Sequence, residues 1–391
     1  MRQVAILGGG PAGAMTAERL ASAGLRTIVI DEKLAWEKPC GGGITYKAYS
    51  QYPFLRDNDV PKQVVTESVI GADHAGDARL AMARPILIYS RKDLNGMMLE
   101  RAARAGARIE KTRVLGIDRR DGGWTVRTQH GQLDTDFCVV ATGARNPLRE
   151  VGTAWTAADT MVALGYYVPS QQAHIDIQFL KNLEGYIWVF PRFGHLSVGI
   201  CGKGETARAL RARLDRYLAE KGISIKDAQF YAHMLPALDA PSWKNNRVAG
   251  DGWMAVGDAG GLVDPVTGEG LYYAFRSADL ASQTILNPGV AGEGLGASYR
   301  KAVEADFARD LYLGATLARR VFVGTFLFRS VPTRMVEFIR MSPRFRMLVE
   351  DLMAGTQSYH DLRARLLKNF HGTVREIMMG MLLGRHLPAR P

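Results

Sequence analysis

Cysteine is scarce in this chain. Only Cys40, Cys138 and Cys201 occur in 391 residues, and none forms a CxxC pair. So few thiols exclude a disulfide framework, and their spacing argues against a zinc site or a cysteine-ligated iron–sulfur cluster. The eight histidines are scattered without metal-ligand spacing, so no metal is expected. No apolar run reaches the roughly 18 residues that a membrane span requires. The opening "MRQVAILGGG" reads as a strand and its turn, not as a secretory signal. Internal repeats and low-complexity tracts are missing too. These absences predict a chain of the reducing cytoplasm, long enough for two domains or one domain with an inserted layer. Acidic residues are in deficit, with 39 Asp+Glu against 50 Lys+Arg. Residues 311–391 hold 13 Lys+Arg and 5 Asp+Glu, so +8 of the net +11 lies in the last fifth. That asymmetry points to an anionic partner or surface.

What is present begins with a βαβ unit. "QVAILG" is a short apolar strand. "AGAMTAERLASAG" has helical spacing at Ala14, Ala17, Leu20 and Ala21 and stops at Gly24, and "RTIVIDE" is a second buried strand. A parallel sheet is the expected consequence. Ser90 and Asp93 have the spacing of a capping box for the helix that follows. Residues 108–141 read as strands with turns at "DGG" and "HGQ", and residues 162–200 alternate as strands do. "ETARALRARLDRYLAEKG" is an amphipathic helix, "GWMAVGDAGG" a buried strand, and a helix runs from Gly270 to Leu286. "NPGVAGEGLG" is a flexible break, after which the whole pattern reads as helix.

Gly8, Gly10 and Gly13 form GxGxxG between the first strand and helix. The first glycine permits the tight turn, the second lets backbone approach a pyrophosphate, and the third allows close helix–strand packing. The helix N-terminus adds free N–H donors. Asp31 ends the second strand about 20 residues on, placed for a ribose. NAD and FAD share this unit. What separates them is "WMAVGDAGGLVDPVTGEGLYYAFRSA", where a buried strand delivers Gly257 and Asp258 and a glycine turn containing Pro265 opens a helix. Asp258 suits a flavin ribityl hydroxyl. The N–H groups from Gly268 to Gly270 suit the electron-rich edge of an isoalloxazine. Two such loops serve one long dinucleotide, FAD.

Residues 1–310 resemble the FAD-binding fold shared by aromatic hydroxylases, flavin halogenases and geranylgeranyl reductases. Three stretches favour the last of these. "PCGGG" resembles that family's cysteine loop, "YIWVFP" (Tyr186 to Pro191) its YxWxFP strand, and "DPVTGEGLYYA" its flavin loop. The resemblance implies a Rossmann-like FAD-binding domain of the glutathione reductase/p-hydroxybenzoate hydroxylase type, an inserted antiparallel-sheet substrate domain and a C-terminal helical region. The expected boundaries are 1–60, 85–150 and 245–300 for the FAD domain, 61–84 and 151–244 for the substrate domain, and 301–391 for the basic helices. It also implies that Arg91 reaches the FAD, that backbone near Val114 borders the adenine, and that Cys40 faces flavin and substrate. Tyr186, Trp188 and Phe190 alternate onto one face. The resemblance makes that face a wall for a prenyl chain, with Cys40, Tyr186 and Trp188 as catalytic candidates; the residues alone leave it as ordinary sheet core. Cys138 reads as inert core, and Cys201 carries no assigned role.

The chain departs from the family at "GIC" (Gly199 to Cys201), where the signature continues GxG, and "ATGARNPLR" lacks an Asp-Gly pair. The electron donor is therefore open between NAD(P)H and a ferredoxin-like protein. The expected activity is reduction of carbon–carbon double bonds in a geranylgeranyl-type lipid. The alternatives are a flavin monooxygenase or halogenase, and a non-catalytic FAD-bound redox or binding protein. The C-terminus mixes Phe, Leu, Met and Arg, and residues 321–328 and "EIMMGMLLG" are apolar nearly all round. An anionic membrane surface is the expected partner of these helices, with a helical lid as the alternative. Nucleic acid is not expected, since no recognised module accompanies the charge.

Overall fold

The computed structural model describes residues 3–148, 150–153, 155–288 and 294–382, with side chains through 379. The chain divides into two compact units. One draws on residues 1–38, 90–160 and 234–312, the other on 39–89, 161–233 and 313 onward.

The first unit holds a six-stranded sheet in the order Ala249–Gly250, Trp253–Ala255, Phe137–Val140, Gln3–Leu7, Arg26–Asp31 and Arg108–Lys111. All neighbours are parallel except the first pair. Strands buried on both faces explain the unbroken apolar runs "VAIL" and "TIVI". Helix Pro11–Ser22 makes the crossover, with proline in its first turn where the lost N–H costs nothing. Helices Arg91–Arg104 and Leu271–Leu286 pack on it. A meander, Val114–Arg120, Gly123–Thr128 and Gly131–Thr135, lays Ile117, Trp124 and Val126 against Leu7, Ile30, Cys138 and Val140. Cys138 sits fully in this core, and burial pushes its thiol up to about 12.

The cap expected from Ser90 and Asp93 comes instead from Glu37. The Ser90 side chain makes no capping bond; its Oγ donates to the Glu37 carboxylate. The Arg91 N–H donates to the same carboxylate at 2.9 Å. A distant anion thus replaces the local box at the positive end of the helix.

The second unit is built on an eight-stranded sheet. Its order is Gln229–Pro236, Thr160–Val168, His195–Lys203, Glu184–Arg192, Ile175–Phe179, Lys62–Ala72, Gly76–Tyr89 and Gly43–Ile44. Ile175–Phe179 and Lys62–Ala72 run parallel, while the pairs from Thr160–Val168 through Ile175–Phe179 and from Lys62–Ala72 to Gly43–Ile44 are antiparallel. On one face Ile187, Val189, Val198 and Ile200 meet Leu210, Leu214 and Leu218 of helix Ala207–Glu220. Helices Val331–Met341 and Pro343–Met353 bring Val336, Ile339, Leu348 and Val349 onto Ile70, Ala72, Ala78 and Leu80.

Three expectations change here. The stretch 301–391 does not stand apart: from Leu313 the chain packs within the second unit, because the helices bury their apolar faces on its sheet. Residues 39–60 join the same unit, through Gly43–Ile44 on the sheet edge. Nor is the C-terminal region all helix. Helix Arg309–Val323 gives way to a hairpin, Thr325–Phe326 paired with Arg329–Ser330, before the helices resume and end with Tyr359–Leu382. Of the expected break, residues 289–293 lie outside the described residues, and Leu295–Val303 is helical. No helix among the described residues is long and apolar enough to cross a membrane.

Ile187 is 0% exposed beneath helix Ala207–Glu220. Ile187→Ala is therefore expected to cost about 2–5 kcal/mol, seen as a lower urea midpoint at unchanged slope.

Candidate active site

The glycine turn is held by a close approach. Gly8 lies at φ +119°, and a Cβ on Gly13 would sit 2.0 Å from the Gly8 carbonyl oxygen. Gly10 differs: its backbone is extended, and a Cβ there would meet nothing within 4 Å. The fold needs glycine at 8 and 13, whereas at 10 only a ligand would. Asp31 accepts hydrogen bonds from the N–H groups of Gly9 (2.7 Å), Lys33 (2.7 Å) and Leu34 (2.8 Å). Its carboxylate braces the turn, and only its remaining acceptor capacity is left for a ribose. Arg91 is 3% exposed, its Nε has no partner, and its other guanidinium contact is Asn95 Oδ1 at 3.5 Å. A buried cation so poorly matched calls for an anionic ligand. Val114 opens its strand beside a register shift and packs its side chain on the core, which leaves only backbone for an adenine.

At the second loop, Gly257 donates its N–H to Ser277 Oγ at 2.9 Å, fixing the strand end that delivers Asp258. The Asp258 carboxylate pairs with Lys38 Nζ at 2.8 Å, both side chains being largely buried. Asp264 shapes the turn around buried Pro265. Its Oδ1 accepts from the Val266 and Thr267 N–H groups at 2.8 and 2.9 Å. The donors expected from Gly268 onward are partly spent within the turn: Gly268 N–H donates to the Asp264 carbonyl and Glu269 N–H to Thr267 Oγ1. The donors not spent in this way are those of Gly270, the N-cap, and Leu271 at the start of its helix.

In the second unit, the three glycines after Cys40 have an internal reason. A Cβ on Gly41 or Gly43 would come 3.1 Å from the Phe190 ring, and one on Gly42, at φ +86°, would strike the Tyr89 carbonyl at 2.1 Å. The flat ring that this backbone passes is thus Phe190. Cys40 is partly exposed, and its Sγ accepts the Gly42 N–H at 3.3 Å. Its carbonyl accepts from the Arg192 guanidinium and from Ser197 Oγ (2.9 Å), and the Gly41 carbonyl accepts Arg192 Nε at 3.3 Å. Arg192 is only 1% exposed and lies over the Tyr167 ring. Ser197 Oγ is 3.1 Å from the Tyr231 hydroxyl, whose pKa burial raises well above its ordinary value.

Tyr186, Trp188 and Phe190 do share a face. Their cross-strand partners Cys201, Gly199 and Ser197 lie on it too, as do Ala163, Gly165 and Tyr167 one strand further. Trp188 lies across Gly199, where a Cβ would meet its ring at 2.3 Å, and its buried Nε1 has no partner. Tyr186 stacks on Phe322 and meets Phe179 and Trp188 at ring distances of 6.2 and 6.3 Å. Cys201, where the signature departs, is buried beside Tyr186, and burial pushes its thiol up to about 12.

Two family models match, a pyridine nucleotide-disulphide oxidoreductase over residues 2–154 and an FAD-dependent oxidoreductase over residues 90–278. The chain is 28% identical to a geranylgeranyl diphosphate reductase of Synechocystis, over 83% of this chain and 86% of that one. It is 30% identical to the chloroplastic geranylgeranyl diphosphate reductase of Oryza sativa, over 79% and 70%. The chain belongs to the geranylgeranyl reductase family. A geranylgeranyl bacteriochlorophyll reductase-like protein of Thermoplasma acidophilum shares its fold, with a TM-score of 0.74, 21% identity and coverage of 94% and 98%.

As a geranylgeranyl reductase family member the chain is an FAD-dependent oxidoreductase, and its residues fit that cofactor. The open space at Gly10, the unpartnered Arg91 Nε and the helix start at Gly270 each match an anionic or electron-rich part of it. Sequence reasoning missed Glu37, Lys38, Asp264, Arg192 and Ser197. Only Asp264 carried a local signal, an Asp-Pro before a glycine turn.

Gly10→Ala is expected to leave the fold and melting point of the FAD-free protein unchanged while the purified protein loses most of its flavin absorbance. Gly13→Ala, which must displace the Gly8 carbonyl, is expected to lower the melting point as well.

Proposed function

We propose that this oxidoreductase saturates carbon–carbon double bonds of a long prenyl chain carried by a lipid or its diphosphate precursor. The observation that carries the reading is the aromatic face of the eight-stranded sheet. Trp188 lies opposite Gly199, with Gly165 one strand further, and Tyr186 lies opposite Cys201. The Trp188 ring fills the space left at Gly199, and the half-buried Tyr186 beside it, with Phe179 and Phe322, completes a largely aromatic wall suited to a branched hydrocarbon. When reduced, FAD supplies a hydride. An isolated alkene has no carbonyl to polarise, so a proton must reach the other carbon. Cys40 is the proposed proton-handling group. The Gly42 N–H donates to its sulfur at 3.3 Å and so fixes where the thiol stands. Arg192 and Ser197 hold that loop in place through its carbonyls.

The lipid is drawn from an anionic membrane surface by the basic C-terminal helices. Helix Tyr359–Leu382 supports this, with Leu367, Phe370, Val374 and Met378 exposed at helical spacing among Lys368, His371 and Arg375. The electron donor is NAD(P)H or a ferredoxin-like protein.

The test is anaerobic. The holoenzyme is reduced with dithionite and mixed with a geranylgeranyl lipid in detergent. Reoxidation of the flavin without oxygen, with products heavier by pairs of hydrogens, is expected. Reoxidation only by oxygen, with oxygen or halogen in the product, would replace the reading with a monooxygenase or halogenase. In the same assay Cys40→Ser is expected to slow turnover at least about tenfold at normal FAD content. An unchanged rate reduces the thiol to packing.

A further inference from the structure

The hairpin after helix Arg309–Val323 has an unusual tip. Phe326 pairs with Arg329, so Leu327 and Phe328 form a two-residue turn. Both are left-handed, at φ +48° and +65°. Such turns favour Asn-Gly, because a side chain at positive φ is strained. Leucine and phenylalanine are poor choices for folding, and the tip gives them nothing in return: Leu327 is 54% exposed and Phe328 fully so. Phe326, 49% exposed, meets the edge of Phe338 at its base. The hairpin is nevertheless held firmly. Arg334 donates to the carbonyls of Phe326 and Leu327 and pairs with Glu337 at 2.7 Å, and Arg329 pairs with the same carboxylate at 2.6 Å. The Val331 N–H closes the base on the Gly324 carbonyl at 2.9 Å. Strain kept at a braced, exposed apolar tip points to a function outside the folded chain.

We propose that Phe326, Leu327 and Phe328 form a wedge that enters the acyl layer of an anionic bilayer, with Arg319, Arg320 and Arg329 meeting its headgroups. Arg319 and Arg320 are exposed on the last turn of the preceding helix. An exposed apolar tip, preceded in the chain by the exposed Arg319 and Arg320 and followed by Arg329, matches a surface that is apolar beneath and negative on top. A second copy of the chain fits less well: it would bring the same +8 of the last fifth against itself. The wedge rests on the membrane part of the function proposed above and makes it specific.

The test compares the holoenzyme with L327N/F328G, which gives the turn the residues its backbone prefers, so the fold is kept while the wedge is lost. Flotation is measured with phosphatidylcholine vesicles, with and without phosphatidylglycerol. The wild type is expected to float with the anionic vesicles and the double variant to bind at least about tenfold more weakly. Phe328→Trp is expected to add emission that brominated lipids quench. Equal binding by the double variant, or no quenching, overturns the wedge. A wild-type dimer in sedimentation that the double variant abolishes assigns the tip to a second copy instead and also overturns it. Failure of the wild type to bind any vesicle removes the membrane reading altogether. Prenyl reduction in detergent is read separately and is expected to be equal in both proteins.

Discussion

The cysteine loop depends on a buried guanidinium. Arg192 carries a charge at 1% exposure, and such a charge is tolerated only where its N–H groups are met. The carbonyls of Cys40 and Gly41 meet two of them. That requirement fixes the loop to the end of the YxWxFP strand, since Arg192 follows directly from Phe190 and Pro191. The loop must then lie flat on Phe190 and pass under the Tyr89 carbonyl, which leaves no room for a Cβ at position 42 and only a tight fit at 41 and 43. One charge therefore links the strand signature to the cysteine signature, 152 residues apart in the chain. The two motifs are one structural statement written in two places.

The parallel sheet and the nucleotide turn were legible because their causes are local. Unbroken apolar runs, a proline at a helix start and GxGxxG act over a few residues, and each element appears where its pattern lies. The aromatic face was legible for the same reason, through the two-residue period of a strand. What escaped were partners supplied from afar. The capping box at Ser90 had the right spacing, yet Glu37 took the position, 54 residues before the Arg91 N–H it accepts. Lys38 reaches Asp258 across 220 residues, and nothing near either one announces the other. A carboxylate at the end of a strand reads as a ligand acceptor; only the fold shows that Asp31 and Asp258 also serve the protein itself.

The hairpin escaped for a different reason. "VFVGTFLF", residues 321–328, is apolar nearly all round, and that pattern reads as a helix that is buried or faces lipid. Turns are recognised in sequence by Gly, Asn, Asp and Pro, the residues that make them cheap. Leu327 and Phe328 are neither cheap in that turn nor buried by it. A local preference overridden without any gain in packing leaves no sequence signal of its kind, and it appears only as a conflict between residue type and backbone.

The aromatic face also explains how the chain tolerates its departure from the family signature. The GxG pattern would place a second glycine at 201, and Cys201 stands there instead, opposite Tyr186. Gly199 keeps the position that matters sterically, because Trp188 fills the space above it and a Cβ would collide at 2.3 Å. At 201 a small thiol is accommodated beside Tyr186, buried and held protonated through the neutral range. It behaves as a slightly larger apolar side chain and brings no second nucleophile to the face. The substitution therefore changes the relief of the wall near Tyr186 while leaving its chemistry apolar. If the prenyl chain lies along that wall, position 201 acts on which part of the chain rests there rather than on the electron transfer itself.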